Sequence, residues 1–150
     1  IELVNGFEFY PIAFNFCKDY NLTYMGNTDI HGVYNQTYRT DRQYGPMTIV
    51  FARERSIEGI KEALFAHRSV VKFGDMLIGS ENNLKALMKA CLSYKIKPVK
   101  GNEAIMEISN KSTLSFYLQL DNKTISILGS DYTEFKVRLD DKIHKYVYNR

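Results

Sequence analysis

Leu22-Thr23-Tyr24-Met25-Gly26-Asn27-Thr28-Asp29-Ile30-His31 runs from an apolar start to a polar finish, and its reading decides the rest of the chain. Leu22 to Met25 reads as a short buried strand, and the residues from Gly26 onward as the loop it opens into. Asp29 and His31 then stand at the strand's carboxyl end, where residues i and i+2 of an extended backbone face the same way. A carboxylate and an imidazole aimed together can share one divalent cation, and that donor pair suits zinc, manganese or iron. The same spacing also suits a solvated loop with an Asp turn, and two residues do not choose between the readings.

The segment before it tilts the balance. Ile1 to Val4 reads as a buried strand ended by the turn signal Asn5-Gly6. Pro11 fits the first turn of a helix, along which Ile12, Phe16 and Tyr20 fall near one face with Ala13 and Cys17 beside them. Asn21 ends that helix. Strand, helix, strand at this spacing is a parallel crossover, and the carboxyl ends of parallel strands are where such sheets hold ligands.

Downstream, residues 33–46 form a long polar loop closed by Gly45-Pro46. A loop of that length in a compact domain is functional or mobile. Arg39 and Arg42 within it could clamp a phosphate in bidentate fashion, or be ordinary solvated arginines. Thr48 to Phe51 reads as a third strand. Ser56 caps the next helix, with Glu58 in its first turn and Ile57, Ile60, Ala63, Leu64 and His67 as its stripe. His67 is expected to be packed or hydrogen-bonded at the helix end rather than to ligate. Val70 to Phe73 is strand-like, and Gly74-Asp75 and Gly79 mark a turn. Ser80 caps another helix, whose Leu84, Leu87, Met88, Cys91 and Leu92 make a core face.

Lys95 to Gly101, with its lysines, proline and glycine, reads as a linker or domain edge. Beyond it the period changes to two: Leu114, Phe116, Leu118 and Leu120, then Ile125 and Ile127, then Phe135, Val137 and Leu139. These are half-buried antiparallel strands with hairpin links, four or five in all. His144 among lysines reads as exposed and non-functional. The expected domains are therefore residues 1–96 and a small antiparallel β domain over 97–150.

Composition bounds the function classes. Of 150 residues, 45% are hydrophobic and 25% charged, which argues for a folded domain rather than disorder. The net charge of +3 is scattered, with no basic arm or aromatic-lined groove, so nucleic acid is not an expected partner. No apolar run is long enough to span a membrane, and no signal peptide is visible. Cys17 and Cys91 lack any CxxC spacing and are expected as buried, reduced thiols. There is no Gly-rich phosphate loop, Gly-x-Ser-x-Gly elbow or Cys/His pairing. Both ends lie in strand-like runs, so a fragment of a longer protein is expected, with an unpaired edge that invites self-association.

In order, Ile1-Glu2-Leu3-Val4-Asn5-Gly6, Leu22 to His31, Thr48-Ile49-Val50-Phe51-Ala52, and Glu58 to Leu64 with Arg68 resemble the C-terminal portion of PHP-domain metal-dependent phosphoesterases. They are similar above all to the bacterial branch in which a small β domain follows. The resemblance covers about residues 1 to 93. It implies an α/β fold: the C-terminal part of a distorted (βα)7 barrel, followed by a small antiparallel β-sandwich-like domain. It implies a phosphate-ester substrate hydrolysed by metal-activated water, with two or three divalent ions in the intact enzyme. The family's final Asp-x-His motif maps onto Asp29 and His31. Its earlier His-x-His and further acidic and histidine ligands have no counterpart here, so this chain is expected to bind metal weakly or not at all and to be inactive alone. Relatives of this two-domain kind are often exported, which implies an extracytoplasmic location. The alternative is a non-catalytic β-rich interaction module in which Asp-x-His is incidental.

Overall fold

Strand β1 (Glu2–Asn5) leads through a short return strand β2 (Glu8–Phe9) into helix α1 (Pro11–Asp19) and back to β3 (Met25–Asn27). The structure, a computed structural model, describes residues 1–33, 45–120 and 123–138. β1 and β3 pair in parallel across α1, as the crossover reading expects, and β2 adds antiparallel on the other side of β1. Pro11 occupies the first turn of α1, where its missing N–H costs nothing.

Two expectations about this segment are corrected. The strand is Met25–Asn27, not Leu22–Met25. Asn21 takes a left-handed φ of 50°, and the Leu22 N–H is spent on the Cys17 carbonyl at the helix end. Ladder pairing therefore starts only at Met25, while Leu22 and Tyr24 serve as packing residues. The buried face of α1 also differs: Ala13, Phe14 and Cys17 pack on the core, whereas Ile12 is 85% exposed and the rings of Phe16 and Tyr20 meet at a tilt at the surface.

The second sheet is antiparallel in the order β4 (Met47–Val50), β5 (Ser69–Phe73), β6 (Met76–Gly79). Helix α2 (Ile57–Phe65) sits between β4 and β5. Ser56 caps it by accepting from the Gly59 N–H at 2.9 Å, a bond whose loss from a helix costs about 1 kcal/mol. Its buried face is Gly59 and Ala63, and Ile57 and Ile60 of the expected stripe are exposed. A Cβ on Gly59 would lie 2.7 Å from the Glu54 carbonyl oxygen, so the small residue lets the preceding loop close on the helix. His67, at φ 57°, turns the chain back antiparallel. Gly74, at φ 54°, opens the two-residue β5–β6 turn, as such hairpins ask of their first position.

The two sheets meet at Gly26. Its N–H donates to Thr48 Oγ1 at 2.9 Å, its carbonyl accepts from the same hydroxyl at 3.0 Å, and Val71 fills the space where a side chain would be. Leu3, Val4, Cys17 and Val71 form the buried cluster at this junction.

Chain contacts divide the molecule into Ile1–Leu84 and Lys85–Arg150. Helix α3 (Glu81–Cys91) begins at Ser80, whose hydroxyl accepts from the Asn83 N–H at 3.3 Å, and it buries Leu87 and Cys91. Both cysteines are free thiols. The stretch 95–101, expected as a linker, is instead mostly strand: β7 (Leu92–Pro98) follows α3 directly and pairs with β8 (Glu103–Asn110). Its lysines and proline are the residues that guard an exposed edge. β8 carries strand β11 (Tyr132–Arg138) on its far side and buries Ala104, Met106, Ile108 and Asn110 in strict alternation. β9 (Phe116–Leu120) and β10 (Lys123–Ile127) form a separate hairpin. Among the described residues this unit carries five antiparallel strands, β7 to β11.

Asn110, 3% exposed, joins the two sheets of this half. Its amide donates to the Leu114 and Leu128 carbonyls at 2.6 and 2.9 Å, and its oxygen accepts from Ser112. Among the described residues the fold is mixed α/β in small sheets, with no closed barrel. No described helix is long and apolar enough to cross a membrane.

Candidate metal centre

β1 ends at Asn5 and β3 at Asn27, so both parallel strands deliver their carboxyl ends to one edge. Beyond that edge lies an open depression of about 450 Å³ lined by Asn5 to Glu8, Tyr10 and Thr28 to His31. Asp29 Oδ1 and His31 Nε2 stand 3.4 Å apart there. The expected convergence is present, but its cause differs: Asp29 adopts φ 49°, and the left-handed turn after β3, not strand alternation, swings the carboxylate toward the imidazole. Asp tolerates that region better than most residues because its short polar side chain can bond locally.

The pair fits two ligands of one ion. Donors about 2.0–2.1 Å from a tetrahedral ion stand about 3.3–3.4 Å from each other. It does not make a complete site: among the described residues no three His, Cys, Asp or Glu side chains gather in a metal-binding group. The side chains of His31 and Asp29 are 88% and 56% exposed, so their mutual attraction is screened and contributes little to stability.

Carboxylates dominate this rim. Glu2 accepts from the Asn27 and Asn5 side-chain amides, and those bonds hold its carboxyl below the usual range. Glu8 accepts from the Tyr10 hydroxyl at 2.6 Å. That bond chiefly raises the Tyr10 phenol, helped by desolvation and by the negative charges of Glu8, Asp29 and Glu2. An edge of this sign attracts cations.

His67 has a different task. The Thr23 hydroxyl donates to the Leu64 carbonyl and lies 2.9 Å from His67 Nδ1. With its one proton so used, Thr23 accepts from Nδ1–H, which fixes the tautomer. The histidine is hydrogen-bonded at the end of α2, as expected. Arg39, Arg42 and His144 lie outside the described residues. Phe7, Glu8 and Tyr10 are lining residues that sequence reasoning passed over. The signal for them was the Asn5-Gly6 turn, which folds Glu8 and Tyr10 back beside the strand end.

No family model matches the chain, and none of the curated proteins does. Among solved structures, it is similar to a two-domain protein from Bacteroides vulgatus ATCC 8482 containing a predicted PHP-like metal-dependent phosphoesterase. The likeness has a TM-score of 0.81 and 31% sequence identity and covers 92% of this chain. The chain spans 42% of the length of that protein.

Proposed function

We propose that this chain is the C-terminal portion of a PHP-like, metal-dependent phosphoester hydrolase and supplies one wall of its centre through Asp29 and His31. The observation that carries the reading is the 3.4 Å approach of those two side chains at the carboxyl ends of parallel strands, beside an open depression. The likeness to a PHP-like protein more than twice as long supports it and accounts for the ligand set being partial.

Asp29 and His31 would hold one divalent ion, zinc, manganese or iron. Bound there, such ions make hydroxide available near neutral pH and offset charge on phosphoryl oxygens. The residues of this chain contribute direction: the turn at Asp29 fixes the carboxylate, and the Glu2–Asn27 bond ties the end of β3 to β1 beneath it. In this reading Arg39 and Arg42 remain candidates for the substrate phosphate, and residues 1–96 form the C-terminal part of a barrel whose remaining strands and ligands come from outside these 150 residues.

Calorimetric titration with zinc or manganese, followed by turnover of a chromogenic phosphomonoester and phosphodiester by the protein that carries this chain, tests the proposal. Weak metal binding lost in Asp29→Ala and His31→Ala, together with hydrolysis of either ester, is expected. Turnover of neither ester with metal added overturns it. That no three His, Cys, Asp or Glu side chains gather among the described residues favours a second reading, a β-rich interaction module without metal chemistry. Metal titration that leaves the Asp29 and His31 resonances unmoved would select it.

A further inference from the structure

Helix α1 is apolar over a wider arc than the core beneath it covers. At about 100° per residue, Ile12, Phe16, Tyr20, Ala13, Cys17 and Phe14 follow one another round about 200° of the helix and its C-terminal cap. Ala13, Cys17 and Phe14 pack on the core. Ile12 is 85% exposed, and Phe16 and Tyr20, whose rings meet, stay 45% and 65% exposed. A helix resting on one layer needs an apolar stripe of roughly 100°. The surplus is a second flank. Its three side chains stand four residues apart, which makes them one continuous ridge of the kind that seats in the groove of another helix.

We propose that this ridge on α1 is covered by a helix of the polypeptide outside these 150 residues. The inference rests on the reading of the chain as part of a longer hydrolase, and it names the surface that joins the two parts. The likeness to a protein of which this chain spans 42% supplies the occupant, since more than half of such a protein lies outside. A second copy of the chain fits less well. Ile12, Phe16 and Tyr20 offer on the order of 400 Å² together, about half of the ~800 Å² that each partner of a stable complex contributes. A helix tethered through the same polypeptide needs no such area, because the tether already holds it at high effective concentration.

Thiol labelling tests this. Ile12→Cys, with Asn15→Cys on the polar side of α1 as the control, is treated with a maleimide in the 150-residue chain and in the protein that carries it. The native thiols of Cys17 and Cys91 are buried. Ile12→Cys should label freely in the 150-residue chain and at least about ten-fold more slowly in the longer protein, whereas Asn15→Cys should label alike in both. Ile12→Glu should leave the melting temperature of the 150-residue chain in place and lower that of the longer protein. Equal labelling of Ile12→Cys in the two overturns the interface. Slow labelling already in the 150-residue chain would mean that the chain covers the ridge itself, and slowing that grows with protein concentration would mean that a second copy does; either overturns it. The readout needs neither metal nor ester. Slowed labelling without turnover would sink the hydrolase reading and leave the interface, and turnover with equal labelling would do the reverse.

Discussion

Asp29 Oδ1 reaches His31 Nε2 across one intervening residue because the backbone at Asp29 is left-handed, with φ 49°. The pair depends on a turn rather than on a strand, and the turn can be varied separately from the side chain.

Asp29→Gly should therefore lose metal binding without losing stability, since glycine accepts this φ freely and the carboxylate is mostly solvated. Asp29→Val should lose metal binding and cost about 1–2 kcal/mol besides, from the left-handed backbone. Calorimetry with zinc and urea unfolding of the two variants check this. A large drop in the midpoint for the glycine variant would assign Asp29 a structural role.

Gly26→Ala should destabilise the first unit by about 1–3 kcal/mol, because the added Cβ would stand 2.4 Å from Val71 Cγ1 at the junction of the two sheets. Val71→Ala makes the room and should recover part of that loss. A double-mutant cycle with non-additive energies is the expected outcome, and strict additivity would show that the junction relaxes by another route.

Glu2 gives the first unit a pH dependence. Its folded carboxyl titrates below its usual value of 4.5 because Asn27, and then Asn5, donate to the ionised form. A lowered carboxyl stabilises the fold above its unfolded pKa, and the benefit is lost as pH falls through the folded one. Unfolding midpoints should thus hold from neutrality down to about pH 5 and decline below that. Glu2→Gln should decline less over the acid range. An identical decline in the variant would place the acid sensitivity elsewhere.

Asn110→Ala should cost at least about 2 kcal/mol, because it strips donors from the Leu114 and Leu128 carbonyls at a buried site. Asn110→Asp should be worse, since a carboxylate cannot donate to either and is itself buried. Thermal unfolding of the β-rich unit measures both, and a neutral aspartate variant would contradict the bonding described.

The parts of this fold that were legible in the sequence are those with local causes. Pro11 opens α1, Ser56 and Ser80 cap their helices, and the strand–helix–strand order led to a parallel pair. The faces of α1 and α2 were legible in part: Ala13, Cys17 and Ala63 were on the expected faces, but Ile12, Phe16, Ile57 and Ile60 beside them point outward, and Phe14 and Gly59 do the packing instead. β7 was read as a linker because a solvent-facing edge strand carries the charges and proline of a loop, and β8 beside it, with its buried alternation, went unread. At the candidate site, the spacing of Asp29 and His31 pointed to side chains that do approach each other, but through a left-handed turn rather than strand alternation. The lining residues Phe7, Glu8 and Tyr10 were missed because their placement depends on a hairpin return only two residues long.

That α3 ends at Cys91 and β7 starts at Leu92 has a practical corollary for dissecting this polypeptide. Any cleavage between residues 85 and 98 severs either a helix or a ladder, and a cut after residue 96 strips β8 of most of its partner. The freed edge of β8 would then recruit a neighbouring molecule, so halves prepared that way should precipitate or pair promiscuously, whereas a scission in the turn at Gly101 would spare every rung.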